Sequence, residues 1–386
     1  MRGKIQLFTC TLFLLAFVYE LKFIYCFANS TMYAQAADFV EMFAYVVLMT
    51  MIVYNRFSLK QLLLIVISGV ILLMGYVKTG YAVWFRSFLI ILAAKDVPFE
   101  KIRKTMLRVY LSVIGLGILL FVLGISDAGV GRRGYLGFGF IGANALSTML
   151  TVAVLLWICG KEKLHIQDVF FIWCLAILDF LLLNSRTAVI ALCLLPLLYA
   201  AVGKMIKKES RLGERFVVNF QALFFAVTIG LVILYPKSSF LRYSLDAALN
   251  WRLFLNFNNI HRFGVPLLGQ NVQLFDETST YLNYYTQEYH FTTFNTVDNT
   301  YIVVLITLGL LPTLCFLICN IFVSKKAWNN RHVTLLTTVM ILSLYGFMES
   351  SMQEIYINFP YLYLLAAPSQ KANHHRVRKK IQWKWH

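Results

Sequence analysis

Long apolar runs separated by short basic turns dominate this 386-residue sequence. A helix needs about 20 mostly apolar residues to cross a bilayer, and runs of that order recur along the whole chain. Hydrophobic residues make up 59% of the chain and charged residues 14%, against about 25% charged residues in soluble domains. The sequence therefore predicts an all-α, polytopic integral membrane protein, with one membrane domain over residues 1–386. Twelve transmembrane helices are predicted, near residues 5–27, 37–54, 61–77, 80–95, 105–125, 141–159, 168–184, 187–203, 216–235, 300–323, 333–348 and 353–367.

The basic residues indicate how the chain is oriented, because cytoplasmic loops carry the excess of Lys and Arg. An orientation with both termini in the cytoplasm puts 25 Lys and Arg residues on the cytoplasmic side and 10 on the other side. Residues 368–386 then form a basic cytoplasmic tail suited to anionic membrane lipid. The first apolar stretch is longer than the roughly 7 to 15 residues of a signal-peptide core, so we expect an uncleaved first span.

Several functional classes are disfavoured by the same pattern. The formal net charge is +17, but the basic residues punctuate apolar runs and form no solvated face, so no nucleic-acid partner is expected. The seven cysteines lie in or beside apolar stretches without paired spacing, which favours small core residues over disulfides or metal ligands. No His-Glu-x-x-His signature occurs, and we expect neither a metal nor a cofactor.

The longest predicted loop covers residues 236–299 and lies on the extracytoplasmic side. Structureless loops of this length are usually functional or disordered, and the density of aromatic residues argues against disorder. These aromatic side chains could stack on the apolar faces of sugars, or could form an interfacial belt. The candidates are Tyr281, Tyr284, Tyr285, Tyr289, Phe291 and Phe294, of which Tyr284, Tyr285 and Tyr289 are the predicted sugar-binding residues.

Ionisable residues inside the predicted spans concentrate toward the outer face. Such residues are costly in a bilayer and usually serve a site or a partner. The set comprises Glu20, Lys22, Asp38, Glu41, Arg86, Asp179, Arg186, Glu349 and Glu354, with Arg132, Arg133, Arg252 and Arg262 in the outer loops. A group of arginines at this depth indicates an anion, and the arginine fork suits the oxygens of a diphosphate. Alternatively, local acids such as Asp246 and Asp298 neutralise the arginines in a purely structural network, or single arginines extend toward the interface.

Five short motifs, in this order, resemble those of the Wzy-type polysaccharide repeat-unit polymerases, which are relatives of the O-antigen ligases. "YLGFGFIGANAL" is similar to a glycine-phenylalanine and asparagine segment, with Gly139, Phe140 and Asn144 in register. "NSRTA" matches a Ser-Arg turn at Ser185 and Arg186. The remaining motifs are "NWRLFLNFNNIHRFGVPLLGQ", with Arg252 and Gly269; "VDNTYIVVLITLGLLPTL", with Asp298, Asn299, Tyr301 and Gly309; and "GFMESSMQEIYINFPYLYLL", with Glu349 and Asn358.

The resemblance implies a GT-C-like glycosyltransferase in the bacterial cytoplasmic membrane. Such an enzyme joins undecaprenyl-diphosphate-linked repeat units into capsular polysaccharide, exopolysaccharide or O-antigen chains at the outer face. It implies that Arg186 and Arg252, and either Arg133 or Arg132, bind the diphosphate. A flippase and a chain-length regulator are implied partners.

The acceptor hydroxyl also needs a base, and the candidates are Asp298, Glu349 and His290. Asp298 before an apolar run also fits a helix N-cap, and His290 also fits an ordinary loop histidine. Two other functions stay open at this point. A ligase of related chemistry would attach finished glycan to another acceptor, although the family's ligases tend to carry histidine near the position of Asp298. A flippase or transporter would fit twelve helices, but no inverted repeat is found in the sequence.

Overall fold

The computed structural model describes residues 2–127, 135–249, 251–272, 280–283, 288–291 and 297–367. The helices within these ranges are α1 (Arg2–Leu21), α2 (Tyr25–Ala28), α3 (Thr31–Val53), α4 (Leu59–Thr79), α5 (Val83–Ala93), α6 (Phe99–Val122), α7 (Ala143–Cys159), α8 (Ile166–Leu182), α9 (Arg186–Lys207), α10 (Arg211–Val218), α11 (Phe220–Leu234), α12 (Asp246–Ala248), α13 (Arg252–Phe263), α14 (Thr300–Thr307), α15 (Leu310–Asn329) and α16 (Val333–Met348). A two-stranded antiparallel hairpin, β1 (Thr280–Asn283) with β2 (Glu288–Phe291), lies in the long loop, and a π-helical turn, Phe240–Leu245, precedes α12.

Within the described residues, seven helices are long and apolar enough to cross a membrane: α1, α3, α4, α6, α9, α15, and α11 extended by a 3-10 turn to Lys237. Three shorter apolar helices, α5, α7 and α16, accompany them. Each of the first eleven predicted runs contains an α-helix. The predicted helical, multi-pass membrane architecture is therefore confirmed in outline.

The helices form one bundle around α16. This helix packs against α9, α11 and α15, and α1 packs against α3 and α6 on the other side of the bundle. Most of the side chains of α16 are buried, whereas α4 exposes Leu62, Leu63 and Ile67. An apolar helix face that stays exposed is expected where lipid replaces water, because lipid tails are as apolar as leucine.

Local sequence signals begin and end several helices. The Ser58 hydroxyl accepts the N–H of Gln61 while the Gln61 side chain accepts the N–H of Ser58, which is a capping box at the start of α4. Gly80 ends this helix in the left-handed region, at φ 70°. These contacts satisfy backbone groups that a helix terminus leaves unpaired.

The prediction of an α-helix at 353–367 is wrong. Two short 3-10 helices, Ser350–Gln353 and Phe359–Leu364, occupy this region, and Pro360 starts the second one. Phe359 and Leu362 are fully buried. The run is apolar because protein surrounds it, and periodicity cannot distinguish a short buried segment from a membrane helix.

This irregular segment runs beside α6, from a contact with Tyr110 in the middle of that helix to a contact at its start. At the start of the segment, the Tyr110 hydroxyl lies within hydrogen-bond distance of two acceptors, the Tyr356 carbonyl at 3.1 Å and the Glu20 carboxylate at 2.7 Å. At its end, Ala367 pairs with the backbone of Val97 and Phe99, on the turn before α6. Non-helical backbone is tolerated at membrane depth only inside protein, and the burial of 355–363 meets that condition.

A second departure lies in the predicted run 300–323, which is broken into α14 and α15 at Gly309. Gly309 has φ 91° and ψ 179°, a region open almost only to glycine. Part of the long loop docks on this break: the carbonyls of Pro266 and Leu267 accept the N–H groups of Leu310 and Leu311. The break therefore fixes this part of the long loop against the bundle.

We predict that Gly309→Ala destabilises the protein by about 2 kcal/mol or more, since the left-handed backbone alone costs about 1–3 kcal/mol. The added Cβ would also lie 2.5 Å from the backbone nitrogen of Gly269. Gly230→Ala in α11 is the matched control, because no atom lies within 4 Å of its Cβ position, and mid-helix alanine is favoured by about 0.5–1 kcal/mol. Thermal unfolding of the detergent-solubilised protein measures both; an unchanged unfolding temperature for Gly309→Ala would contradict the prediction.

Candidate functional site

Four helix termini meet at one point of the bundle and bring four polar side chains together. Thr187 lies in the first turn of α9, Arg252 begins α13, Asp298 precedes α14 and Glu349 follows α16. Thr187 and Glu349 are 162 positions apart in sequence, yet their side chains share a hydrogen bond. The site therefore depends on the tertiary fold.

The guanidinium group of Arg252 bridges the two acids. Its Nη2 lies 3.4 Å from Asp298 Oδ2 and 3.5 Å from Glu349 Oε1. Its Nη1 donates to the backbone carbonyl of Met348. The Arg252 side chain is 18% exposed and those of Asp298 and Glu349 are 36% and 20% exposed, so none of the three is fully buried.

Asp246 determines where α13, and with it Arg252, begins. Its buried carboxylate accepts the backbone N–H groups of Leu253, at 2.8 Å, and of Phe254, at 3.2 Å, together with the Tyr235 hydroxyl, at 2.9 Å. Trp251 precedes the helix in the left-handed region, at φ 62°, so no local side chain caps it. Asp246, six residues before Arg252, thus accepts backbone N–H groups of the first turn of α13 that a helix start leaves unpaired.

The two acids are held by the start of α14. Asn299 caps this helix by accepting the N–H of Ile302, and its amide donates to the carbonyl of Phe347. The Thr300 hydroxyl and N–H both donate to the Glu349 carbonyl, at 2.6 and 3.1 Å. Because Asn299 supplies the cap, the Asp298 carboxylate is left available to Arg252.

Two carboxylates and one guanidinium give this cluster a net negative charge when all are ionised. Burial raises the pKa of Glu349, and the nearby Asp298 raises it further, while Arg252 and the hydrogen bond of 3.0 Å from the Thr187 hydroxyl act in the opposite direction. A carboxylate with a raised pKa takes up a proton more readily near neutral pH. The arrangement therefore suits Glu349 to accept a proton from a bound hydroxyl group.

Arg186 stands next to this cluster, at the first position of α9 and one residue before Thr187. It is exposed, and within the described ranges its guanidinium has no ion pair or hydrogen bond. It does not pair with Asp179, which lies seven residues earlier, in α8. The start of a helix also favours anions, so Arg186 is placed to meet one.

The structure does not bring every predicted site residue to this point. Arg132, Arg133, Tyr284 and Tyr285 lie outside the described residues. Tyr289 and His290 are described by their backbone alone, in β2, where they pair with Leu282 and Tyr281 of β1.

Sequence reasoning underrated three residues of the site. Thr187 is part of the "NSRTA" motif with no predicted role, and Asp246 is predicted only as an acid that could neutralise the arginines. A helix N-cap is the alternative interpretation of Asp298, but the cap of α14 is Asn299, one position later. The Asp-Asn pair offered two capping residues, and only the fold shows which of them is free.

No group of three or more histidine, cysteine or acidic residues with metal-site geometry occurs in the part of the chain that the structure describes.

We predict that Asp246→Ala destabilises the protein by on the order of 3 kcal/mol, because two buried backbone donors and the Tyr235 hydroxyl lose a charged acceptor. Tyr235→Phe removes only one of these hydrogen bonds and should cost about 1 kcal/mol. Thermal unfolding in detergent compares the two variants. If Asp246→Ala were no less stable than Tyr235→Phe, the carboxylate would not anchor α13.

Searches for similar proteins provide no relative for this site. No family model, curated protein or solved structure matches the chain.

Proposed function

We propose that this protein is a membrane glycosyltransferase that polymerises oligosaccharide repeat units carried on undecaprenyl diphosphate, at the outer face of the bacterial cytoplasmic membrane. The observation that carries the proposal is the bridge from Arg252 to Asp298 and Glu349, beside Arg186, which pairs with no acid among the described residues. A base for a hydroxyl and a cation for a diphosphate are the two requirements of this transfer.

In the proposed reaction, the hydroxyl oxygen of the acceptor sugar bonds to the anomeric carbon of the donor. The bond from that carbon to the diphosphate oxygen breaks, and undecaprenyl diphosphate leaves with the bonding electrons. The hydroxyl proton passes to a carboxylate, for which Glu349 is our first candidate and Asp298 the second. Glu349 is preferred because burial raises its pKa. His290, in the hairpin of the long loop, stays a third candidate.

The arginines take different roles in this scheme. Arg186 is the first candidate for binding the diphosphate, because no acid in the described chain neutralises it. Arg252 contacts both candidate bases, so its first role is to orient them. Arg132 or Arg133 would add a further cation, and Tyr284, Tyr285 and Tyr289 would contact sugars.

Several features belong to the proposal as a whole. Both termini face the cytoplasm, and the chain crosses the membrane twelve times if the irregular segment 354–367 is the last crossing. The fold is GT-C-like, with residues 236–299 outside and residues 368–386 as a basic cytoplasmic tail. A flippase delivers the lipid-linked units and a chain-length regulator acts on the product.

We predict that deleting the gene leaves single lipid-linked repeat units at the outer face and abolishes longer chains. Complementation with Arg186→Lys or Arg252→Lys should restore less than a tenth of the wild-type chain yield, because lysine lacks the planar fork. Arg211→Lys is the matched control, since Arg211 is exposed at the start of α10. Gel profiles of the glycan and of the extracted lipid-linked units provide the measurement.

The same experiment separates the alternatives. Chain growth in the deletion strain would refute the polymerase. Normal chains that fail to become attached would indicate a ligase, and units trapped on the cytoplasmic side would indicate a flippase. Full rescue by both lysine variants would refute the requirement for the arginine fork.

The raised pKa of Glu349 predicts a pH dependence. Protonation of the base stops the reaction, so activity should fall toward acid pH, with the midpoint above the usual pKa of glutamate. Thr187→Val removes a hydrogen bond that favours the charged carboxylate, so it should raise the pKa further and move this midpoint to higher pH. Thr187→Ser keeps the hydroxyl and should leave the midpoint unchanged. Polymerisation rates in membrane vesicles across pH measure the shift, and coincident profiles for both variants would exclude Glu349 as the base.

A further inference from the structure

A second polar cluster lies away from Arg252, in a cavity between α1, α3, α5 and the chain at Glu354. The cavity has a volume of about 310 Å³, which is within the usual range of small-molecule sites. Lys22, Glu41, Arg86 and Glu354 line it, together with Asp38. The proposed chemistry at Arg252 does not use these residues.

The charges of this cavity disfavour an anion. Arg86 Nη1 is already paired with Glu41 Oε2 at 2.7 Å, and the Lys22 ammonium lies 3.4 Å from the centre of the Tyr19 ring. Three carboxylates against two cations leave the walls negative when all are ionised. A diphosphate would meet repulsion here, whereas a neutral hydroxylated molecule would find both acceptors and donors.

Tyrosines supply the rest of the wall. Tyr19, Tyr45 and Tyr356 line the cavity, and the rings of Tyr19 and Tyr356 lie 4.7 Å apart. A tyrosine offers a flat apolar face and a polar hydroxyl together. A sugar ring carries hydroxyl groups at its edge and C–H bonds on its faces. The carboxylates, ammonium and guanidinium of this cavity can hydrogen-bond the hydroxyl groups, and the aromatic faces can pack against the C–H bonds.

The cavity is close to the Arg252 cluster along the chain. Glu354 follows Glu349 by five residues, so their Cα atoms are at most about 18 Å apart, the span of five extended residues. The 3-10 turn Ser350–Gln353 shortens this distance. A short oligosaccharide could therefore extend from this cavity to Glu349.

We propose that this cavity is a binding subsite for a neutral sugar residue of the acceptor oligosaccharide; this deeper assignment rests on the proposed function. The subsite holds the acceptor chain while its terminal hydroxyl reaches Glu349. It determines which saccharides the protein accepts and takes no part in bond breaking.

The test uses the purified full-length protein in nanodiscs and an array of tagged neutral di- to tetrasaccharides. Ala37 lines the cavity, so Ala37→Phe fills it without removing a charge. Ala36→Phe is the matched control, on the same helix but outside the cavity lining. We expect the wild type and Ala36→Phe to bind at least one saccharide, and Ala37→Phe to bind it at least tenfold more weakly. Glu354→Gln keeps the side-chain shape and should also weaken binding, so the test does not depend on one variant folding.

Failure of the inference and failure of the proposed function give different results. The subsite would be overturned if the wild type bound no saccharide. It would also be overturned if Ala37→Phe and Ala36→Phe bound the saccharide equally and Glu354→Gln bound it normally. A phospholipid that co-purifies with the wild type but not with Ala37→Phe, without saccharide binding, would overturn it in favour of a lipid headgroup. Polymerisation in the deletion strain would refute the proposed function while leaving the array result intact.

Discussion

The contact between Arg252 and two acids constrains the end of the bundle where α13, α14 and α16 meet. Asp298, Glu349 and Arg252 belong to three separate parts of the chain, and each is placed by a helix terminus. Ion pairs taken out of water gain little stability by themselves, but removing one partner leaves an uncompensated charge. Without Arg252, the two carboxylates would face each other at the end of α16. The guanidinium therefore determines how α13, α14 and α16 can meet.

The irregular segment after α16 follows from the same constraint. Glu349 ends the helix with extended backbone, at φ −141° and ψ 146°, and Thr300 binds its carbonyl twice. The chain cannot then continue as a helix, and it crosses the bundle in 3-10 turns surrounded by protein. Its backbone is satisfied by neighbours, as where the Lys326 ammonium donates to the carbonyls of Tyr363 and Ala366. This route places Glu349 in one polar cluster and Glu354 in another.

The sequence predicted the existence and position of most helices, because the length of an apolar run indicates whether it is long enough for a membrane helix. It also predicted that Arg186, Arg252, Asp298 and Glu349 share one level of the membrane. The position of a residue along a helix does not show which face of the helix its side chain occupies. The sequence therefore could not predict which of these residues contact each other. The alternative that Asp298 neutralises an arginine describes the contact with Arg252 correctly. Arg186 and Asp179, which are seven residues apart in sequence, do not contact each other. The segment 353–367 was mistaken for a helix because burial in protein and burial in lipid select the same residues.

The proposed reaction gives the Arg252 bridge a further consequence. Before reaction, the guanidinium is shared between two carboxylates, and an arriving diphosphate competes with both for it. When Glu349 accepts the hydroxyl proton, its attraction for Arg252 falls, because a neutral acid holds a cation far less strongly than a carboxylate does. At that moment the leaving diphosphate gains negative charge. Under this scheme, proton uptake by Glu349 weakens its contact with Arg252. The Arg252 guanidinium then attracts the leaving diphosphate, which Arg186 already contacts. One contact would then couple the base to the departure of the leaving group, and Asp298 would keep Arg252 in place throughout.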